Sequence, residues 1–282
     1  MPVGDEITDT GLLELCLNAR QKYGVVGAQE FFHRGRQVVM PVLHRQEVGM
    51  DWRTFWNGDH SIYVNARHRA MHADLVAKGT IALLPTGRPD VLDWGCGEAE
   101  AANVVATRCG TLFLYDSAPR VRENLQRRYD AAPRIDVIDE VGLHALPEKS
   151  LDAIVIVSVV QYLSRETFNQ VVSALAPKLR DGGRFIVADV IPPNLSPLVD
   201  VRALLAFAWH GGFLGAALIG LMETLFSNYS RLRGTLGLTQ WDESAMISAL
   251  AKHDLGARRI VQNIGHNQAR MTFVAERRCN SR

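Results

Sequence analysis

The stretch Val91-Leu92-Asp93-Trp94-Gly95-Cys96-Gly97-Glu98-Ala99 constrains this chain more than any other. An apolar run gives way to two glycines one residue apart, and then to a helical pattern. Such a junction turns the backbone sharply and lets a ligand approach it closely. Roughly 20 residues on, a second apolar run closes as Leu114-Tyr115-Asp116, and an acid at that place is the expected acceptor for ribose hydroxyls. A dinucleotide fold carries a third glycine beneath the diphosphate, where Glu100 stands here. A carboxylate beside a diphosphate repels it, so the pattern favours an adenosine ligand without phosphates.

The apolar runs recur at Ile135-Asp136-Val137-Ile138, over 153–160 and at Arg184-Phe185-Ile186-Val187-Ala188, each separated from the next by a helical pattern. The last two runs do not alternate, as befits strands covered on both faces. Strands separated by helices predict right-handed βαβ units in a doubly wound parallel sheet. After Pro192-Pro193 comes a long apolar insertion, then a helix opened by Thr239 or Asp242. Two short runs, Arg258-Arg259-Ile260-Val261 and Met271-Thr272-Phe273-Val274, close the pattern as a hairpin around Gly265-His266-Asn267-Gln268.

Taken together, these pieces resemble the class I S-adenosylmethionine-dependent methyltransferases. Asp93-Trp94-Gly95-Cys96-Gly97 matches the family's first motif, with Ala99 in place of its common third glycine. Tyr115-Asp116 matches the second, Leu146-Pro147 with Leu151-Asp152-Ala153 the approach to the fourth strand, Gln161-Tyr162-Leu163 the turn after it, and Gly182-Gly183-Arg184-Phe185 the entry to the fifth. The resemblance implies an α/β, Rossmann-like, doubly wound seven-stranded sheet whose last strand is antiparallel. It implies S-adenosylmethionine as cofactor and S-adenosylhomocysteine as product. On that basis Asp93, Gly95 and Gly97 approach the methionine part, Asp116 the ribose, and Ser117, Glu140 and Val141 the adenine. Ser158 and Gln161 stand near the transferring methyl.

Residues 1–84 precede the motif as an N-terminal helical lid, and residues 85–282 form the methyltransferase domain with a helical cap over about 193–238. In the lid, one helix follows Thr10, a second starts near Val26 and takes in Phe31, Phe32, Val38 and Val39, and Asn65 caps a third. An irregular aromatic piece over 51–58 lies between the last two. Tyr63 and Arg67 are candidate contacts to the cofactor, and His68 to the substrate. His68 and His72 share a helix face at i, i+4, but no further metal ligand is apparent and no metal is expected. Residues 203–222 hold His210 as their one ionisable group and are long enough to span a bilayer. His210-Gly211-Gly212 breaks the stretch in two, and the sheet must resume beyond it, so a packed cap is expected, with peripheral membrane contact as a second reading. As a cap it would wall a pocket with Leu204, Phe207, Phe213, Leu218 and Leu221, near Tyr162, His210 and Asn267. His266 in the hairpin turn is the general-base candidate, with Asp189 its rival.

Lys+Arg is 31 against Asp+Glu 30, which gives no general electrostatic footprint for nucleic acid. Four cysteines without a C-x-x-C pair, and a polar start without a secretory pattern, fit a reduced, cytoplasmic protein. The expected activity is methyl transfer to a small, lipophilic acceptor at oxygen. A non-catalytic cofactor-binding partner, a macromolecular methyltransferase and, more remotely, a nicotinamide dehydrogenase stay open. The oligomeric state is not legible.

Overall fold

The computed structural model describes residues 30–33, 36–39, 63–225 and 237–277. The chain forms two compact units, Met1–Met50 and Asp51–Arg282. In the first, β1 (Glu30–His33) and β2 (Arg36–Val39) pair antiparallel. This corrects the helix expected from Val26 onward. The aromatic and β-branched pairs Phe31-Phe32 and Val38-Val39 favour strands, and a two-residue connection containing Gly35 suits a hairpin. The helix expected after Thr10 and the aromatic piece over 51–58 lie outside the described residues.

The second unit opens with α1 (Ala66–Leu83), whose N-cap Asn65 accepts from the His68 amide. The chain then alternates β3 (Val91–Trp94), α2 (Ala102–Ala106), β4 (Leu112–Tyr115), α3 (Pro119–Tyr129), β5 (Ile135–Val137), α4 (Glu140–Ala145), β6 (Leu151–Val157), α5 (Arg165–Leu175) and β7 (Leu179–Val190). Next come α6 (Pro197–Gly211), α7 (Leu214–Leu225), α8 (Glu243–Ala251), β8 (Leu255–Ile260) and β9 (Met271–Arg277). Asp242, one of the two caps expected for α8, accepts from the Ala245 amide.

The sheet order is β5-β4-β3-β6-β7-β9-β8. Pairings from β5 to β7 are parallel, and β9 runs antiparallel to both β7 and β8. The order steps outward from β3 in both directions, so helices cover both faces. On one face Leu143, Phe168, Leu175, Met246 and Leu250 pack over Ile154, Ile156 and Phe185. On the other, Ala77, Val105, Val121 and Leu125 pack over Val91, Leu114 and Val155. Helix α1, expected in the lid, thus packs on the sheet itself through Ala77.

The apolar insertion folds as two helices with Gly212 at their break, in the left-handed conformation that ends α6. Ala208, Phe213 and Ala217 are buried against Val64, Met71 and Phe207. These contacts join the cap to the start of α1 and fix which side of α6 and α7 turns inward. No described helix is long and apolar enough to cross a membrane.

Candidate functional site

Ligand-binding groups of a doubly wound sheet collect at the carboxyl ends of its parallel strands. At the end of β3 the amides of Gly95 and Cys96 both donate to Tyr115 O, at 2.7 and 3.1 Å, which draws the loop across the end of β4. Gly95 and Gly97 have φ of +75° and +55°. A Cβ on Gly95 would stand 2.7 Å from a Val159 methyl, whereas one on Gly97 would project into open space. The first glycine is required by packing, and the second leaves the backbone bare toward the place a ligand would take. Ala99 holds φ +42° where the resembling family has glycine. Its carbonyl accepts from the Tyr129 hydroxyl at 2.6 Å. An L-residue pays roughly 1–2 kcal/mol in that region. Ala99→Gly is therefore expected to stabilise the fold by about 1 kcal/mol in denaturant titration.

Asp116 carries the loop. Its Oδ2 accepts from the Gly97 amide at 3.0 Å and its Oδ1 from the Ala118 amide at 2.9 Å. Burial raises its pKa, offset in part by these two amides. Burial and the charge of Asp116 push the Asp93 carboxyl up to about 7. Two close carboxylates beside a bare backbone loop favour a ligand that brings positive charge. If such a ligand binds ionised Asp93, its affinity should fall by about tenfold from pH 8 to pH 6, as Asp93 takes up its proton. Titration calorimetry across that range reads the effect, and Asp93→Asn should flatten the profile. Folding of the ligand-free protein shifts the other way: the raised value contributes stability below the unfolded pKa, lost as pH rises through about 7.

Around this centre, the Tyr115 hydroxyl donates to Glu140 Oε2 at 2.8 Å, drawing the first turn of α4 to the end of β4. Val141 beside it is 73% exposed, a large apolar side chain at the rim. Ser117 follows Asp116, half-buried. Arg69, rather than Arg67, reaches the glycine loop, its Nη1 3.1 Å from Glu100 Oε1. Arg67 is exposed, and its guanidinium would lie 3.6 Å from a Cβ on Gly212. The half-buried Cys96 thiol is pushed far up by desolvation and by Asp93, so it stays protonated and is no nucleophile.

Ser158 and Asp189 follow at the ends of β6 and β7, with φ of +58° and +61°. Left-handed backbone at two neighbouring strand ends is strain held by its surroundings, which is common where a site is built. The Ser158 hydroxyl donates to Asp189 Oδ2 at 2.7 Å. Arg270 Nη1 donates to the same oxygen at 2.8 Å, and its Nη2 pairs with Asp200 Oδ1 of α6 at 3.0 Å. Asn267 Nδ2 also donates to Asp200, at 2.6 Å. Asp189 and Asn267 are thus held in a polar web that ties the cap to the sheet. Gln161 is buried, and its Oε1 has no hydrogen-bond partner among the described residues. Tyr162 beside it is half-buried.

Above Asp189 lies a cluster of rings. His68 stacks on Phe213 at 5.1 Å between centroids, and His266 stacks on Phe207 at 5.3 Å. His72 stands 5.9 Å from His266 and 5.6 Å from Tyr63. Burial, then the neighbouring His72, pulls His68 down to about 4. Burial, then His266, does the same to His72, again to about 4. Burial also lowers His266. Burial, then Glu100, pushes Tyr63 up to about 12. All four rings are uncharged near neutral pH. His68 Nδ1 accepts from the Val64 amide, so its proton sits on Nε2. Among the described residues no group of His, Cys, Asp or Glu is arranged to hold a metal ion. His210 lies on the exposed side of α6, its Nδ1 2.7 Å from Ala206 O. Leu218, expected to wall a pocket, is 50% exposed. Both face outward because Ala208, Phe213 and Ala217 take the inward side. The Arg270 web and the Arg69–Glu100 pair had no sequence motif to reveal them.

The residues at the strand ends fit an adenosine ligand with a cationic tail. Asp116 offers charged acceptors, Gly97 close approach, Asp93 negative charge, and Gln161 an unpaired acceptor. Residues 91–183 match a family model described as a methyltransferase domain. No curated protein matches the chain in sequence. Among solved structures, the chain is similar to the complex between the Haloferax volcanii Trm112 methyltransferase activator and a candidate methyltransferase. There the TM-score is 0.52 at 14% identity, over 82% of this chain and 99% of that one. It is also similar to a candidate S-adenosylmethionine-dependent methyltransferase from Methanococcus maripaludis, with TM-score 0.50 at 11% identity, over 79% and 97% of the two chains. At such identities the likeness is one of fold.

Proposed function

We propose that this chain, whose residues 91–183 match a methyltransferase domain, is a class I S-adenosylmethionine-dependent methyltransferase that methylates a small apolar molecule at a hydroxyl oxygen. The observation that supports this acceptor best is the ring cluster. Tyr63, His68, His72, Phe207, Phe213 and His266 make an aromatic, uncharged wall beside Asp189. Such a wall favours a flat or aliphatic ligand and penalises a charged one.

When bound, S-adenosylmethionine supplies a methyl already activated by the sulfonium. Asp116 and the Gly97 backbone hold the adenosine end, and Asp93 faces the positive end. The ring cluster aligns the acceptor and excludes water from it, where most of the acceleration arises. His266, uncharged and partly buried, accepts the proton that the hydroxyl gives up. Burial holds the imidazole below its ordinary value, while nearby Asp189 raises it and Arg270 lowers it.

The test is transfer of labelled methyl into a cell extract, partitioned between organic and aqueous phases. Label in the organic phase is expected. Label in the aqueous phase alone overturns the apolar acceptor, and tight cofactor binding with no transfer to any fraction favours a non-catalytic partner. Once the product is known, His266→Ala should lower turnover on the order of a hundredfold with cofactor affinity unchanged. Unaltered turnover would remove His266 as the base.

A further inference from the structure

We propose that the outer face of the α6–α7 pair docks on an anionic lipid bilayer. Leu198, Trp209, Leu218 and Ile219 are 70%, 71%, 50% and 62% exposed. Leu198 and Trp209 lie eleven residues apart on α6, which returns to the same side of a helix after about three turns. Arg202 falls on the strip between them and is exposed. The inward sides of both helices are already used, by Ala208, Phe213 and Ala217. The outward apolar side chains are therefore a surplus over what the fold needs. With 15 and 12 residues, α6 and α7 are too short to span, so they would lie along the interface, with the Trp209 indole at headgroup level.

Charge selects the occupant. Arg202 and, at the bend between the helices, Arg67 make no ion pair among the described residues. The one carboxylate among the side chains described on the two helices, Asp200, is taken up by Arg270 and Asn267. Among the described residues the face thus offers cations and no free anion. A second copy docked about a two-fold axis would bring this cationic surface against itself. Anionic headgroups complement it. Phe207, two residues before Trp209, stacks on His266 from the inner side of the same helix. One helix thus borders both the ring cluster and the bilayer, a short path for an apolar acceptor. The docking itself does not depend on the methyl-transfer reading.

The experiment is sedimentation of the full chain with vesicles of phosphatidylcholine containing about one third phosphatidylserine, against phosphatidylcholine alone. The wild type is expected to pellet with the anionic vesicles. Trp209→Ser with Ile219→Ser, and separately Arg202→Glu, should each cut that partitioning at least tenfold. Both are surface changes, and S-adenosylhomocysteine binding, measured in parallel, should stay as in the wild type. That control also separates failure of docking from failure of the methyl-transfer reading. Wild type left in the supernatant, a double variant that pellets as before, or equal pelleting without phosphatidylserine overturns the proposal. So does concentration-dependent dimerisation that the double variant abolishes while vesicles bind neither protein.

Discussion

Asp116→Ala should weaken S-adenosylmethionine binding by about a hundredfold or more and lower the melting temperature by only a few degrees. The carboxylate has two tasks. It fixes the glycine loop through the Gly97 and Ala118 amides, at 3.0 and 2.9 Å. In the proposed binding mode its remaining lone pairs accept from a ribose diol. A hydrogen bond to a charged group contributes roughly 1.5–3 kcal/mol, and a diol makes two, so the loss is about 3–6 kcal/mol of binding. The fold loses less. Asp116 ends its strand at the surface of the site, and the Arg122 guanidinium bonds its backbone carbonyl, which alanine keeps. Asp116→Asn should fall between, keeping one acceptor oxygen and losing the charge. Calorimetric titration with S-adenosylhomocysteine decides it. A change below threefold would place the ribose elsewhere.

The largest loss of stability is expected from Arg270→Met. Arg270 has 16% of its side chain exposed and stands between Asp189 and Asp200, themselves 11% and 22% exposed. Burial pulls the guanidinium down, but the two carboxylates outweigh it, and the net direction is up. Removing the cation takes its charge away from both carboxylates, and breaking such a buried pair costs about 3–5 kcal/mol. For a chain of this size that is on the order of 10 °C in melting temperature. Adding Asp189→Asn and Asp200→Asn to Arg270→Met should recover most of the loss, since the cost comes from uncovered charge more than from lost attraction. Scanning calorimetry of both variants tests this. A triple variant no more stable than the single one would show that packing, not charge, holds the web together.

The parts legible in the sequence were those written in a single local signal. The glycine pair at 95 and 97, the apolar run over 153–157 in β6, and the caps Asn65 and Asp242 each act within a few residues, and the sheet follows from their order. Residues 30–39 misled because Phe and Val satisfy helical spacing and β propensity alike. The phase of α1 was also illegible. Its apolar residues form no clear stripe, so the sequence points to Arg67, and nothing local marks Arg69 as the one that pairs with Glu100. Arg270 pairs with residues 81 and 70 positions earlier, and an arginine before a strand looks like a solvated charge until the sheet is closed.

The sheet order has a consequence in time. Strand β9 lies between β7 and β8, yet it is the last of the three to leave the ribosome. Until it inserts, β7 has an open edge, and Arg270, at the residue before β9, is not yet in place beside Asp189 and Asp200. A nascent chain can therefore build the glycine loop and Asp116 long before the cap is locked down. The half proposed to grip adenosine is ready early, and the half that would meet the acceptor waits for the final strand.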